Sequence, residues 1–376
     1  MLSSLFGIRL MLWVGKTVPR PASYEVMNAL TRVEVTTDVE QPGDGFQLTF
    51  TLGKNKSGEY SLLQSGALDP ESRVVIGVLL GVTLELLIDG VIYHHQVSPG
   101  EQPGTSTLTV SGRDVSVMLD LEEKDQNYGN QADSVIVDRI LGNYAQYGIL
   151  PPFQITSTTE VPIETERIPG QHGTDLKFIQ RLAKRNGFIF YIEPVAMGVN
   201  QAYWGPENRA GLLQPGLSHD LGPSTNVKTL RFMNDALAPI GTSGSFVEPI
   251  TKRSIRIPDL PSLRVPPLSS AVGSARRTER LRCTANRNFA QASTESVAAV
   301  TGAPEPVSAE GELDTVRYGN VLRPRRLVGV RGVGRAYNGD YYVRSVKHRI
   351  QRGVYTQTFT LGRGGTGTLT PTVRTS

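Results

Sequence analysis

Five histidines, one cysteine and several carboxylate runs are the side chains here whose types could do acid–base, nucleophilic or metal chemistry. The histidines are His94, His95, His172, His219 and His348. No two stand at the i, i+4 spacing that turns a pair of imidazoles toward one ion, and no HExxH occurs. Adjacent His94 and His95 point to opposite faces of a strand, so they do not chelate together. Asp120, Glu122, Glu123 and Asp125 supply a general acid and base in kind, but no spacing fixes the carboxylate separation of a glycosidase. A solvated turn is the simpler reading. Cys283 stands among Arg280, Arg282 and Arg287, which would lower a thiol pKa, yet it has no catalytic partner in the sequence. Gly362-Arg363-Gly364-Gly365-Thr366-Gly367 spells G-x-G-x-x-G, but Thr368-Leu369-Thr370-Pro371 follows where a helix N-terminus must receive phosphate. Arg323-Pro324-Arg325-Arg326 is basic without interleaved aromatics. These residues assign no catalytic, cofactor-binding or metal site, and the chain reads as a non-enzyme.

Charge is more informative than motif. The 376 residues carry 39 Lys+Arg and 35 Asp+Glu, a net +4. Residues 251–376 hold 21 basic and 8 acidic side chains, +13, which leaves 18 and 27, or −9, before them. Such a sign change implies two differently charged surfaces rather than one uniform face. The composition, 39% hydrophobic and 20% charged, excludes a wholly disordered chain. One cysteine excludes an internal disulfide. No apolar run reaches a membrane span, since 74–87 is broken by glycines, Thr83 and Glu85. The apolar stretch Met1–Val14 contains Arg9, lacks a cleavage signature after it, and reads as a first strand over Gly7–Val14 rather than a leader.

The elements follow from periodicity. Phe46, Leu48, Phe50 and Leu52 alternate with polar residues as a half-buried strand does. Val82–Ile88 and Val91–Val97 flank Asp89-Gly90, which predicts a hairpin turn. Repeated short strands over 30–112 argue for an antiparallel barrel or sandwich. Ile136, Ile140 and Tyr144 predict a helix stopped by Gly148, and Thr174 caps a second that ends at Gly187. A strand follows at Phe188–Ile192 and another at Val227–Phe232. Residues 240–282, rich in Gly and Pro, read as a long connector, and Thr284–Val300 as a helix. Strands return at Leu327–Val330, Tyr341–Ile350 and Val354–Leu361, before a loose polar tail, Thr366–Ser376. Thr49–Lys54 is echoed by Thr358–Arg363, which hints at two similar β units.

Three stretches carry a resemblance: Ser111–Asp120 with Asn130–Ile140; Gln171–Tyr191, which holds Gln-x-x-x-Asp, Phe-Ile-x-Arg-Leu-Ala and Gly-Phe-x-Phe-Tyr; and 321–361 with Gly339-Asp340-Tyr341-Tyr342-Val343. In order and over about residues 30–365, they resemble the late-control protein D family of phage tail hubs. That resemblance implies a mainly β fold with an α+β middle, two tube-like antiparallel β-barrel domains flanking a smaller mixed domain. The expected divisions are 1–112, 113–222 and 223–365, with the Pro-rich insertion at 240–282, the helix at 284–300, and a flexible tail at 366–376. It further implies a structural baseplate hub of a contractile phage tail or phage-tail-like injection system, assembled in the cytoplasm into the particle. The implied assembly is a homotrimer whose pseudo-sixfold ring joins a sixfold inner tube, or tube initiator, to a threefold spike, with baseplate wedge proteins around it. The chain ends without the β-helical needle of type VI secretion spike proteins, so the spike is expected as a separate polypeptide. Neither cofactor nor specific nucleic-acid binding is implied. A hub-associated peptidoglycan hydrolase and a nucleic-acid-binding tail component stay open as alternatives. The charge asymmetry would let acidic and basic surfaces mate, with Arg323, Arg325 and Arg326 as the cations whose reversal should disturb assembly.

Overall fold

The computed structural model describes residues 7–16, 18–39, 44–102, 104–158, 160–162, 168–247, 252–282 and 288–369. Seven strands come first: β1 (Ile8–Gly15), β2 (Arg20–Pro21), β3 (Leu30–Asp38), β4 (Gly45–Leu52), β5 (Arg73–Leu80), β6 (Thr83–Ser98) and β7 (Ser106–Asp114). Strict alternation puts Phe46, Leu48, Phe50 and Leu52 of β4 inside, each at most 5% exposed. They pack with Leu12, Val35, Ile76 and Leu108 in a first core.

The Asp89-Gly90 hairpin is not a turn. β6 runs through both residues without interruption, and the chain reverses instead at Gly81-Val82, where Gly81 takes φ +61°. Asp89 is 1% exposed because the Arg73 guanidinium donates to both its carboxylate oxygens at 2.7 Å and Asn200 Nδ2 adds a third bond at 3.0 Å. A Cβ at Gly90 would stand 2.1 Å from the Arg113 carbonyl oxygen, so glycine serves close backbone approach there. Long-range pairing overrides the local turn preference.

The middle of the chain holds β8 (Glu123–Asn127), β9 (Gln154–Ile155), β10 (Gly170–Thr174), β11 (Ile189–Ala196) and β12 (Val199–Gly205), with helices α1 (Asp133–Leu141) and α2 (Asp175–Asn186). Thr174 caps α2 by accepting from Lys177 N–H, and Gly187 closes it at φ +68°. Ile136, Ile140, Ile179, Leu182 and fully buried Trp204 form the second core.

The last part contains β13 (Leu213–Ser218), β14 (Val227–Asn234), β15 (Ile240–Ser243), β16 (Ser245–Val247), β17 (Ser254–Arg256), β18 (Ala271–Val272), β19 (Arg277–Arg280), helix α3 (Phe289–Gly302), β20 (Val307–Asp314), β21 (Leu327–Arg331), β22 (Gly339–Gln351), β23 (Val354–Arg363) and β24 (Gly365–Thr366). Val307, Val330, Tyr341, Val346 and Phe359 build a third core. The 240–282 stretch is more than a connector: β15 pairs β19, β16 pairs β17, and Phe246 and Ile257 are buried with Ala292 of α3 in a small satellite core. The beginning of the expected tail is also anchored, since β24 pairs β18 and Gly367 N–H bonds Ala336. Residues 370–376 and 283–287, with Cys283, lie outside the described residues.

The protein is mainly β, with helices concentrated in its middle, around one large sheet. Its strand order is β14-β20-β23-β22-β3-β4-β7-β6-β5-β1-β2, with β21 pairing β22 and β13 pairing β21. Ser345–Gln351 of β22 lies antiparallel to Asp38–Arg32 of β3. That pairing occupies the edge of β3 which a barrel of the first seven strands would need for closure, and among the described residues no strand path closes on itself. The echoed segments occupy β4 and β23, which flank this seam on either side, and Phe50 and Phe359 are both buried.

Candidate functional site

The candidate catalytic residues are dispersed. His348 is 2% exposed, hydrogen-bonded between Nδ1 and Tyr355 Oη at 2.9 Å, and burial, aided by the Arg323 charge, lowers its pKa to about 3. It is a neutral structural imidazole. His172 meets Asp125 at the surface, His95 bonds the Leu68 carbonyl, and His94 is exposed. His219 lies after β13, away from these. Asp120 accepts from Thr174 Oγ1 at 2.6 Å, which ties the acidic run to the start of α2, while Glu122 and Glu123 are exposed. Among the described residues no group of three His, Asp or Glu converges as a metal site. In the G-x-G-x-x-G stretch, the guanidinium of buried Arg363 donates to the carbonyls of Asn338 (3.0 Å) and Ala336 (2.5 Å), and the next residues form β24, not a helix.

The quoted signature residues instead build a buried polar node. Asp175, 2% exposed, accepts from Gln171 Nε2 at 2.6 Å, Lys124 Nζ at 2.6 Å and Tyr144 Oη at 2.7 Å. Gln171 in turn accepts from Tyr128 Oη at 2.9 Å. The Gln-x-x-x-Asp spacing thus brings the strand β10 and the first turn of α2 to one centre. Arg181 donates to the Gly170 carbonyl at 2.5 Å and lies over the Phe178 ring.

The basic run Arg323–Arg326 faces inward, contrary to its expected role at an assembly surface. Arg325 is 7% exposed and donates to both Asp44 oxygens at 3.0 and 2.7 Å and to the Asp38 carbonyl at 2.5 Å, with its guanidinium 4.2 Å from the Tyr191 ring centre. Arg323 reaches Glu85 at 2.5 Å and the Leu86 carbonyl. Only Arg326 is largely open to solvent, 4.0 Å from Glu193. These residues line a cavity of about 410 Å³ between β6, β11 and 323–326, which also contains Asp114. Burial and the neighbouring Asp44 charge raise the Asp114 pKa from 3.8 to about 7. Burial opposes ionisation of Glu34 as well, but bonds from Lys347, Arg32 and Arg349 win and hold it at about 2.

A second buried network joins β12 to the last part. Glu207 and Arg209 pair at 2.6 Å, Arg209 meets Glu305 at 2.8 Å, and Arg264 and Arg344 approach Glu207 at 3.3 and 3.5 Å. Burial resists the Glu207 charge, and the surrounding guanidinium groups nonetheless keep its pKa low. Much of the sequence's charge asymmetry is therefore satisfied inside the chain. Sequence alone shows the two signs but not which partners meet.

A charged cleft lies open to solvent. A cleft of about 1470 Å³ lies between α2 and the α3–β19 region, with Phe178, Leu182, Phe188 and Phe190 among its lining residues. Lys177, Arg181 and Lys184 stand at i, i+4 and i+7 on its α2 wall, and Arg277 of β19 lines it too; all four are exposed. All four residues of β19 and all three of β17 are exposed.

No protein-family model matches this chain, and no curated protein does. Solved structures do. The chain superposes on a 43 kDa tail protein of prophage MuSo2 from Shewanella oneidensis with a TM-score of 0.61 at 15% identity, over 95% of this chain and 99% of that one. A tail protein from Neisseria meningitidis gives 0.61 at 13%, over 96% and 98%. An Escherichia coli type VI secretion component, described as similar to the T4 tail proteins gp27 and gp5, gives 0.54 at 15%, over 89% and 73%. Over nearly its whole length, then, this chain has the fold of phage tail proteins.

Proposed function

We propose that this chain is a structural baseplate hub of a contractile phage tail or phage-tail-like injection system. The observation that supports this most is the end-to-end coincidence with two tail proteins, with little of either chain left over. In this reading three copies form a ring, and the two β parts of each copy, residues 1–112 and 223–365, are tube-like units that present six similar positions to a sixfold inner tube. The α+β part, 113–222, braces them, and a separate threefold spike and the surrounding wedge proteins complete the partners. The β3–β22 pairing suits such a part, because it sets the two β units at a fixed angle through main-chain hydrogen bonds. The role is mechanical rather than catalytic, inside a particle assembled in the cytoplasm. Among the described residues no helix is long and apolar enough to cross a membrane.

Electron microscopy of the purified chain, alone and mixed with the tube and spike proteins of its particle, tests the proposal. A threefold ring with pseudo-sixfold density is expected. Monomers persisting beside intact partners overturn it, and so does turnover of cell-wall sacculi by the pure protein.

A further inference from the structure

The cleft between α2 and β19 has a charge excess that the fold does not use. Seven cations and three carboxylates line it. Arg185 is spent on Asp133, and Arg264 and Arg344 on Glu207. Lys177, Lys184 and Arg277 are exposed and make no ion pair among the described residues. Like charges held together on one wall repel one another and favour a complementary anionic occupant. The chain carries such an anion on β8, beside the start of α2. Glu122, Glu123 and Asp125 lie on and beside β8, an exposed strand; among the described residues β8 pairs only with β10, and neither Glu122 nor Glu123 has an ion-pair partner. β8 is pinned to β10, which runs straight into α2, and its carboxylates form no ion pair with the lysines of their own α2.

Resting on the oligomeric reading above, we propose that this basic cleft docks the acidic β8 ribbon of a second copy of the chain. Glu123 and Asp125 share one face of β8, about 7 Å apart along extended chain, and Lys177 and Lys184 stand about 10 Å apart along α2. A nucleic acid fits less well. Phe178 and Phe190 are buried and offer no face for base stacking. Charges of this kind chiefly set orientation and association rate, and like-charge contact is strongly disfavoured.

Sedimentation of the full chain over a concentration series, in 50 and 500 mM salt, supplies the test. The variant Lys177→Glu/Lys184→Glu/Arg277→Glu and the variant Glu122→Lys/Glu123→Lys/Asp125→Lys should each weaken self-association about a hundredfold while melting like the parent, since these side chains are exposed. One chain carrying both sets should recover association to within about tenfold. If the parent associates and neither set changes it, the proposed contact is wrong and the oligomeric reading survives. A parent that stays monomeric even with tube and spike proteins removes both. Duplex DNA binding that the cleft variant abolishes, with association unchanged, assigns the cleft to nucleic acid and overturns the proposal.

Discussion

Replacing Arg325 by methionine should cost about 3–5 kcal/mol of stability, far more than a surface ion pair contributes. The guanidinium is buried, carries two bonds to Asp44 and one to the Asp38 carbonyl, and lies over Tyr191. Methionine fills similar volume but strands the Asp44 carboxylate, 6% exposed, with the Asp38 N–H at 3.0 Å as its remaining bond. Loss of the cation also drives the already raised Asp114 pKa further up, because Arg325 is one of the groups holding it down. The assay is a double-mutant cycle with Asp44→Asn, unfolding each protein in guanidinium at pH 7.5. Far-UV dichroism reports the sheet, and the fluorescence of Trp13 and Trp204 reports the first strand and the second core. With Arg325 already gone, neutralising Asp44 should recover stability, giving a coupling of about 2–3 kcal/mol. Additive costs, or a loss below about 1 kcal/mol for Arg325→Met alone, would refute the view that this pair holds the two β parts together.

The other expected outcomes concern titration and close packing. Burial and the Asp44 charge keep a proton on Asp114 in the fold at pH values where the unfolded chain has released it, so the fold loses stability as pH rises from about 4 toward 7. Asp114→Asn should therefore gain stability relative to the parent between pH 4 and 7, and a pH-independent difference in denaturation midpoints contradicts this. His348 runs the other way: with its pKa lowered to about 3, the fold loses stability as pH falls from 6.5 toward 3, and His348→Gln should shed that slope in the same titration. Gly112→Ala should cost about 2–4 kcal/mol on thermal denaturation, since its Cβ would stand 2.1 Å from Phe46 Cζ and 2.6 Å from the Val91 carbonyl; a melt like the parent's refutes that packing.

Legibility in the sequence divides along the distance over which each signal acts. Helix α2 is readable in full because the Thr174 cap, the Leu176–Ala183 stripe and Gly187 are local. Asp89-Gly90 misleads because its fate is decided by Arg73 and Asn200, the latter 111 residues away. The satellite core in 240–282 hides behind strands of three or four residues, too short for periodicity to register, in a Pro-rich context. The β3–β22 seam is the least legible feature, since it joins strands about 300 residues apart and no residue pattern announces it. The sign change at residue 250 is legible as a sum, but whether Arg325 faces Asp44 or a neighbour is a property of the folded chain.

That division of charges has a consequence for salt. Ion pairs such as Arg325–Asp44 and Arg209–Glu305 are sheltered from solvent, where mobile ions screen weakly, whereas Lys177, Lys184 and Arg277 lie open. Raising ionic strength from about 0.05 to 0.5 M shrinks the screening length to a few ångströms and acts first on the open set. Self-association should therefore decline over this range while the melting temperature stays within about 2 °C. A melting temperature that fell in step with dissociation would mean that the fold and the assembly draw on the same charges, and the separation of inward-facing from outward-facing cations would then fail.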